Sequence, residues 1–224
     1  MRKDTWKKLW PFMKDPPADG RNIRIEGERV ILRSKRMEDA EADYRWRVDP
    51  ELARLDATRP ITITLREYMR YHRDDLQFPS PRSVRLAVDT LDGVHIGNCM
   101  YYDIDTERAE AELGIMIGNH NYWGTGYGTD AVKTMLRHIF TTTWLERIYL
   151  HTLSDNERAQ RAFEKAGFRY LRTVRKDGYE FHLMEIARDQ WVEQFGESEV
   201  SYPAENGHVA PEPTSVASLS ALDG

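Results

Sequence analysis

A single cysteine, Cys99, is present in a chain of 224 residues. One thiol excludes an internal disulfide and any multi-cysteine zinc site. It fits a reducing, cytoplasmic setting, with Cys99 read as a small buried apolar residue of a strand. Long hydrophobic runs are missing too. Nothing approaches the roughly 20 consecutive apolar residues that span a bilayer, so no stable membrane insertion is expected. No apolar stretch or small-residue cleavage site follows the basic N-terminus, which therefore does not read as a signal peptide. An excess of positive charge is also lacking. The 32 Lys+Arg are outnumbered by 37 Asp+Glu, for a formal net charge of −5. This argues against a dedicated nucleic-acid binder. His72, His95, His138, His151, His182 and His208 are scattered through different predicted elements and form no ligand set, so no metal is expected. His120 precedes a glycine-rich loop and could approach an acceptor there.

What is present suffices for a core: 40% of residues are hydrophobic and 31% charged. The charge divides the chain into three parts. Residues 1–25 carry seven basic and three acidic side chains, and residues 197–224 carry five acidic and no basic ones. The first 24 residues read as a basic, aromatic arm and linker. Trp6, Leu9, Trp10 and Met13 share one helical face, Pro11 limits any helix, and Asp15-Pro16-Pro17 and Asp19-Gly20 punctuate the end. The arm reads as an anchor on a membrane surface or partner, or as a segment packing its tryptophans on its own domain. So short a segment buries little area, which favours the second. Residues 196–224, with Pro203, Pro211, Pro213 and no hydrophobic periodicity, read as a disordered acidic tail. One domain, residues 25–195, lies between.

Its pattern predicts strands at 23–33, 83–89, 94–102, 109–118, 147–153, 168–174 and 179–186. Helices are expected at 38–48, 64–76, 126–141 and 155–166, with Asp49-Pro50 as a break and Ser154 or Asp155 as the cap of the last helix. Antiparallel runs mixed with strand–helix–strand units indicate an α/β or α+β layered sheet.

The informative stretch is Ala109 to Ala131. In its first half Ala109, Leu113, Ile115 and Ile117 alternate with Glu110, Glu112 and Met116. Gly114 interrupts the strand and suggests a bulge or a close backbone approach. Gly124, Gly126 and Gly128 follow at every second position, directly before a helix. Such a loop bares backbone N–H groups, and the helix adds its free amides and positive dipole end. Together they make an anion site for a phosphate or pyrophosphate. The spacing matches neither a P-loop nor a dinucleotide fingerprint. Lys133-Thr134 lies within the helix and does not end the loop. On the glycines alone, a tight turn without a ligand stays open.

A second stretch narrows the reading. His151 to Phe168 ends a strand and opens a helix that closes on Lys165-Ala-Gly-Phe. Taken with the Trp123-Gly-Thr-Gly-Tyr-Gly128 loop, Asn156-Glu-Arg-Ala through Gly167-Phe168 resembles the GNAT superfamily of acetyl-CoA-dependent N-acetyltransferases. Arg45-Trp46 and Asp49-Pro50-Glu51 look like the branch of ribosomal-protein alanine and spermidine acetyltransferases. The resemblance runs from about Gly27 to Trp191. It implies a mixed, mostly antiparallel twisted sheet with helices on both faces. It also implies direct acetyl transfer from acetyl-CoA to a primary amine, such as a protein N-terminus, a polyamine or another small amine, without a metal. The alternative is a non-catalytic acyl-CoA-binding or interaction module on the same fold. A homodimer is compatible with either, and the oligomeric state stays open.

The resemblance also implies roles. The strand before the loop would splay from its neighbour and receive the pantetheine arm at Ile115, Met116 and Ile117. The amides of Gly124, Thr125, Gly126, Tyr127, Gly128 and Thr129 would hold the pyrophosphate, and Asn156 would bond the arm. Arg158, Arg161 or Lys165 could meet the 3′-phosphate or remain solvated. An amine with a pKa of about 10 must lose a proton before it attacks. Glu112, on the polar side of its strand, is the leading candidate base, with Glu110 as runner-up. Many members carry a tyrosine on the second helix as general acid. That position here is Phe163, which would pack beside the pantetheine, so that the thiolate leaves without a donor or takes a proton from water or Ser154.

Overall fold

The computed structural model describes residues 23–195, so the arm, apart from Ile23 and Arg24, and the acidic tail lie outside the described residues. Eight strands form one sheet in the order β1-β2-β3-β4-β5-β6-β8-β7. They are β1 (Arg24–Glu26), β2 (Val30–Ser34), β3 (Ser83–Thr90), β4 (His95–Asp105), β5 (Glu110–Ile117), β6 (Arg147–Leu153), β7 (Arg169–Lys176) and β8 (Tyr179–Ala187). Every neighbouring pair is antiparallel except β5 and β6. Six helices complete the fold: α1 (Ala40–Val48), α2 (Pro50–Leu55), α3 (Leu65–Gln77), α4 (Tyr127–Thr142), α5 (Glu157–Lys165) and α6 (Arg188–Phe195).

The alternation along the strands divides the sheet into two faces. Ala111, Leu113, Ile148 and Leu150 are buried in one core with Val132, Met135, Leu136 and Ile139 of α4. Each fully buried side chain of this size contributes about 2 kcal/mol. The opposite face carries α1, which is tied to β4 where Asn98 Nδ2 donates to Asp43 Oδ1 at 2.8 Å. Helices therefore cover both faces of a mostly antiparallel sheet.

A polar network lies between α1 and strands β2 to β4. Arg33 forms a two-pronged pair with Asp39 at 2.7 and 2.9 Å and also meets Asp89. His95 bridges Asp89 and Asp43, each at 3.2 Å, and Lys35 closes the chain on Asp43 and Asn98. Burial alone would raise the Asp43 carboxyl, but hydrogen bonds from His95, Lys35 and Asn98 pull it down to about 2. The same carboxylates raise the His95 imidazole against its own desolvation.

Five local expectations are corrected. The single strand over 23–33 is two strands, because the chain doubles back at Gly27, whose N–H bonds the Val30 carbonyl at 2.8 Å. A Cβ at Gly27 would meet Thr134 Oγ1 at 2.4 Å and Asp130 Oδ2 at 2.6 Å. Asp49-Pro50 starts a helix as well as ending one. Asp49 accepts the N–H groups of Glu51 and Leu52, and Pro50 takes the first helical position. The cap of α5 is Asn156, which accepts the Ala159 N–H at 3.2 Å. Asp155 instead pairs with Arg54. Ala109 stands outside β5 with a positive φ, and Ala111 is the buried residue of that face. Finally, α6 was not expected. Its buried Arg188 donates to the carbonyls of Phe140, Thr143 and Leu145, fastening the end of α4 to the last strand.

Candidate active site

Strands β5 and β6 pair over three rungs only, Glu110 with Arg147, Ala111 with Ile148 and Glu112 with Tyr149. Beyond Glu112 they part. β5 continues to Ile117 beside β4, and β6 continues to Leu153 beside β8. The opening is extended by the glycine loop and by α5 into a cleft of about 380 Å³. Ile115, Met116 and Ile117 form one wall, Gly124, Gly126, Gly128 and Thr129 one end, and Asn156 and Phe163 the other wall. Nine of the eleven residues expected to contact the donor therefore line one cavity. Thr125 and Tyr127 are not among its lining. The Thr125 hydroxyl donates to the Tyr122 carbonyl at 2.7 Å, and the Tyr127 ring packs edge-on to Tyr122 with centroids 5.0 Å apart.

Gly126 caps α4 with φ +93°. This left-handed conformation turns the chain so that the first amides of a 16-residue helix end at the cleft. Cationic groups surround it. Arg158, Arg161 and Lys165 line the α5 side, and Arg29 Nε would lie 3.6 Å from a Cβ at Gly126. Arg158 stacks 3.5 Å from the Trp123 ring centre, while Trp123 Nε1 donates to the Ile117 carbonyl at 2.6 Å. Amides, cations and an apolar strand wall in one cleft suit a ligand with phosphates at one end and an amide-bearing arm at the other. This chemistry fits acetyl-CoA. Among the described residues no group of three or more His, Cys, Asp or Glu is placed to hold a metal.

Glu112 stands on the last paired rung, on the face opposite α4. Its carboxylate accepts a hydrogen bond from His151, whose Nδ1 lies 2.9 Å from Oε1, and it stands opposite Tyr102 of β4. Burial pushes the Tyr102 phenol up, and the negative charges of Glu112, Asp103 and Asp56 push it further. Tyr149 is raised the same way, by burial and then by Glu112, Glu110 and Asp103. The runner-up Glu110 is bound to Arg147, which also holds Glu185 at 2.7 Å. Gly114 keeps regular pairing with Met100, and the irregularity lies in β4 between Tyr102 and Asp105. A Cβ at Gly114 would come within 3.3 Å of the Met100 and Tyr102 side chains, a tight fit against side chains rather than a close backbone approach. Phe163 is 6% exposed and stacks edge-on with Phe168, and Cys99 is fully buried. His120 stacks on Trp123 with centroids 4.0 Å apart, outside the cleft lining.

Sequence reading missed His151, Tyr102, Arg29 and, lining the cleft, Leu52 and Leu55 of α2 with Asp56 just after it. All but Tyr102, which enters from the adjacent strand β4, come from elements far away in the chain. For His151 the one available signal was its parity with Tyr149 on a strand that ends at the helix motif.

The family model described as an acetyltransferase (GNAT) domain matches residues 29–169, more than half of the chain. Over 136 residues the sequence is 31% identical to an uncharacterised N-acetyltransferase p20 of Bacillus licheniformis, covering 58% of this chain and 72% of that one. Over 164 residues it is 27% identical to human alpha/beta-tubulin-N-acetyltransferase 9, covering 68% and 78%. In fold it is similar to spermidine N-acetyltransferase from Vibrio cholerae, solved with CoA and spermine. The TM-score is 0.65 at 18% identity, over 73% of this chain and 98% of that one. No described helix is long and apolar enough to cross a membrane. The paired motifs, the parted strands and the matched domain together place this chain in the GNAT family of N-acetyltransferases, whose acyl donor is acetyl-CoA.

Proposed function

We propose that this protein moves the acetyl group of acetyl-CoA directly onto a primary amine of a cationic acceptor, either a small polyamine-like molecule or a protein N-terminus. The observation that carries this reading is the position of Glu112. A carboxylate stands on the last rung before β5 and β6 part, outside the cleft lining itself but three residues along β5 from Ile115, where the wall of the cleft that reaches the glycine loop begins. A donor lying in the cleft with its phosphates at the loop brings its thioester toward that carboxylate. Oriented reactants lower the barrier by converting a two-body encounter into a one-body step.

Acidic groups favour a positively charged acceptor. Glu112 and Asp103 act on the hydroxyls of both Tyr102 and Tyr149, with Asp56 acting on the first and Glu110 on the second. Such a field raises the local concentration of cations. The ammonium must lose a proton before attack, and the carboxylate site supplies the base. Loop amides and the Arg29, Arg158 and Lys165 side chains would neutralise the donor phosphates. The Vibrio cholerae relative with spermine bound fits an acceptor of this class.

The test is release of CoA thiol from acetyl-CoA by the full chain in the presence of spermidine, kanamycin or a peptide with a free N-terminus. Turnover with at least one amine is expected. Acetyl-CoA binding without turnover on any amine supports the non-catalytic module instead, and absence of both overturns the assignment of the cleft.

A further inference from the structure

Phe163 leaves α5 without a hydroxyl at the cleft, so the protons of the reaction have to be handled elsewhere. His151 sits two residues beyond Tyr149 on β6, on the same face and past the point where the strands part. Its Nδ1 lies 2.9 Å from Glu112 Oε1. Its ring stands edge-on to Tyr149 at 6.0 Å and to Phe181 at 6.1 Å. These contacts hold the imidazole plane, and Nε2 has no hydrogen-bond partner among the described residues. The His151 side chain is 31% exposed against 16% for Glu112, so the ring is the more accessible of the two groups.

We propose that His151 is the proton acceptor of the site and that Glu112 works through it as its positioning residue. This rests on the acetyl-transfer reading above. A carboxylate that accepts from Nδ1–H fixes the tautomer with a free lone pair on Nε2 and stabilises the imidazolium that forms. In the reaction the acceptor ammonium gives one proton to Nε2, and the freed amine attacks the thioester carbonyl carbon. The new C–N bond forms, and the C–S bond breaks with its electron pair on sulfur. The second nitrogen proton is lost as the amide forms. One of the two protons ends on the CoA thiolate, and the other passes to water. The groups sharing this face are Glu112 and Glu110 on β5, Tyr102 on β4, Arg147 and Tyr149 on β6, Glu185 on β8, and Arg172 on β7 opposite Leu183. Arg147 engages Glu110 and Glu185, which leaves the Glu112 carboxylate to His151.

The test compares wild type, His151→Gln, Glu112→Gln and the double variant, using acetyl-CoA and whichever of spermidine, kanamycin or an N-terminal peptide wild type acetylates. Glutamine can still donate to Glu112 but cannot take a proton. H151Q is expected to lose about 100-fold in kcat with the acetyl-CoA KM unchanged. The double variant should be no slower than about threefold below the worse single one, as for residues acting as a unit. On the acid side wild-type kcat/KM should fall with two protons and that of H151Q with one. A variant-free measurement stands beside these: nitrogen NMR of the wild-type full chain should find His151 with its proton on Nδ1. Wild-type turnover that survives H151Q at every pH, or a His151 ring protonated on Nε2 alone, overturns the proposal while leaving acetyl transfer intact. Absence of wild-type turnover on every amine sinks the acetyl-transfer reading instead.

Discussion

The carboxylate of Asp130, in the first turn of α4, accepts the backbone N–H of Arg29 at 2.7 Å. It also accepts those of Val30 at 3.0 Å and Glu28 at 3.2 Å. One buried side chain thus satisfies the turn between β1 and β2 and pins it to the helix whose N-terminus borders the cleft. Asp130→Ala leaves these amides without a protein partner. An unsatisfied buried donor costs about 1–3 kcal/mol, so a loss of about 3 kcal/mol is expected in denaturant unfolding. Acetyl-CoA affinity should fall with it, because Arg29 and the loop lose their common support.

Gly126 holds φ +93° with nothing closer than Arg29 to an added Cβ. The cost of Gly126→Ala is therefore conformational rather than steric, about 1–2 kcal/mol. Paid in the loop that meets the phosphates, this corresponds to roughly a tenfold weaker acetyl-CoA affinity, measurable by calorimetry, with kcat at saturating donor little changed.

Arg158 lies over Trp123 at the cleft mouth. Desolvation lowers its pKa while Glu51 opposes the shift, and the group stays charged at neutral pH. Arg158→Ala should weaken acetyl-CoA binding roughly tenfold, the size of one charge-assisted hydrogen bond. Trp123 fluorescence should report donor binding in wild type, and its change should be altered in the variant.

The polar network predicts a pH dependence of folding. The Asp43 carboxyl titrates at about 2 in the fold and at about 3.9 in an unfolded chain. A depressed folded pKa gives stability that is present above the unfolded value and lost as pH falls toward 2. The difference is worth about 2 kcal/mol. Unfolding midpoints should drop between pH 4 and 2, and Asp43→Asn should flatten that part of the curve while lowering stability at neutral pH. His95 adds the opposite slope. Its raised pKa contributes stability below the unfolded value near 6.5 that is lost as pH rises through the folded one.

Much of this was legible along the chain because its signals are local. Period-two alternation marked β5, the residue pattern marked the other strands of β3 to β8, and the glycines before α4 marked the anion end of the cleft. The Asn156 to Phe168 motif marked α5 and, with the loop, the family. What escaped has a common cause. The turn at Gly27 depends on Asp130, a hundred residues downstream. The start of α2 at Pro50 looked like an ending, since proline both stops one helix and opens the next. Arg188 of α6 has no periodic pattern and gains its role only from three carbonyls around the end of α4.

By itself the sequence determined β3 to β8, the helices α1, α3, α4 and α5, the glycine loop and the presence of a carboxylate on the polar side of β5. Only the tertiary structure decided which residues stand opposite that carboxylate. The β5–β6 pair is parallel and joined through a whole helix, so its register is set by how α4 packs on the sheet and not by any turn. That register brings His151 to Glu112 and ends the pairing one rung before the cleft opens.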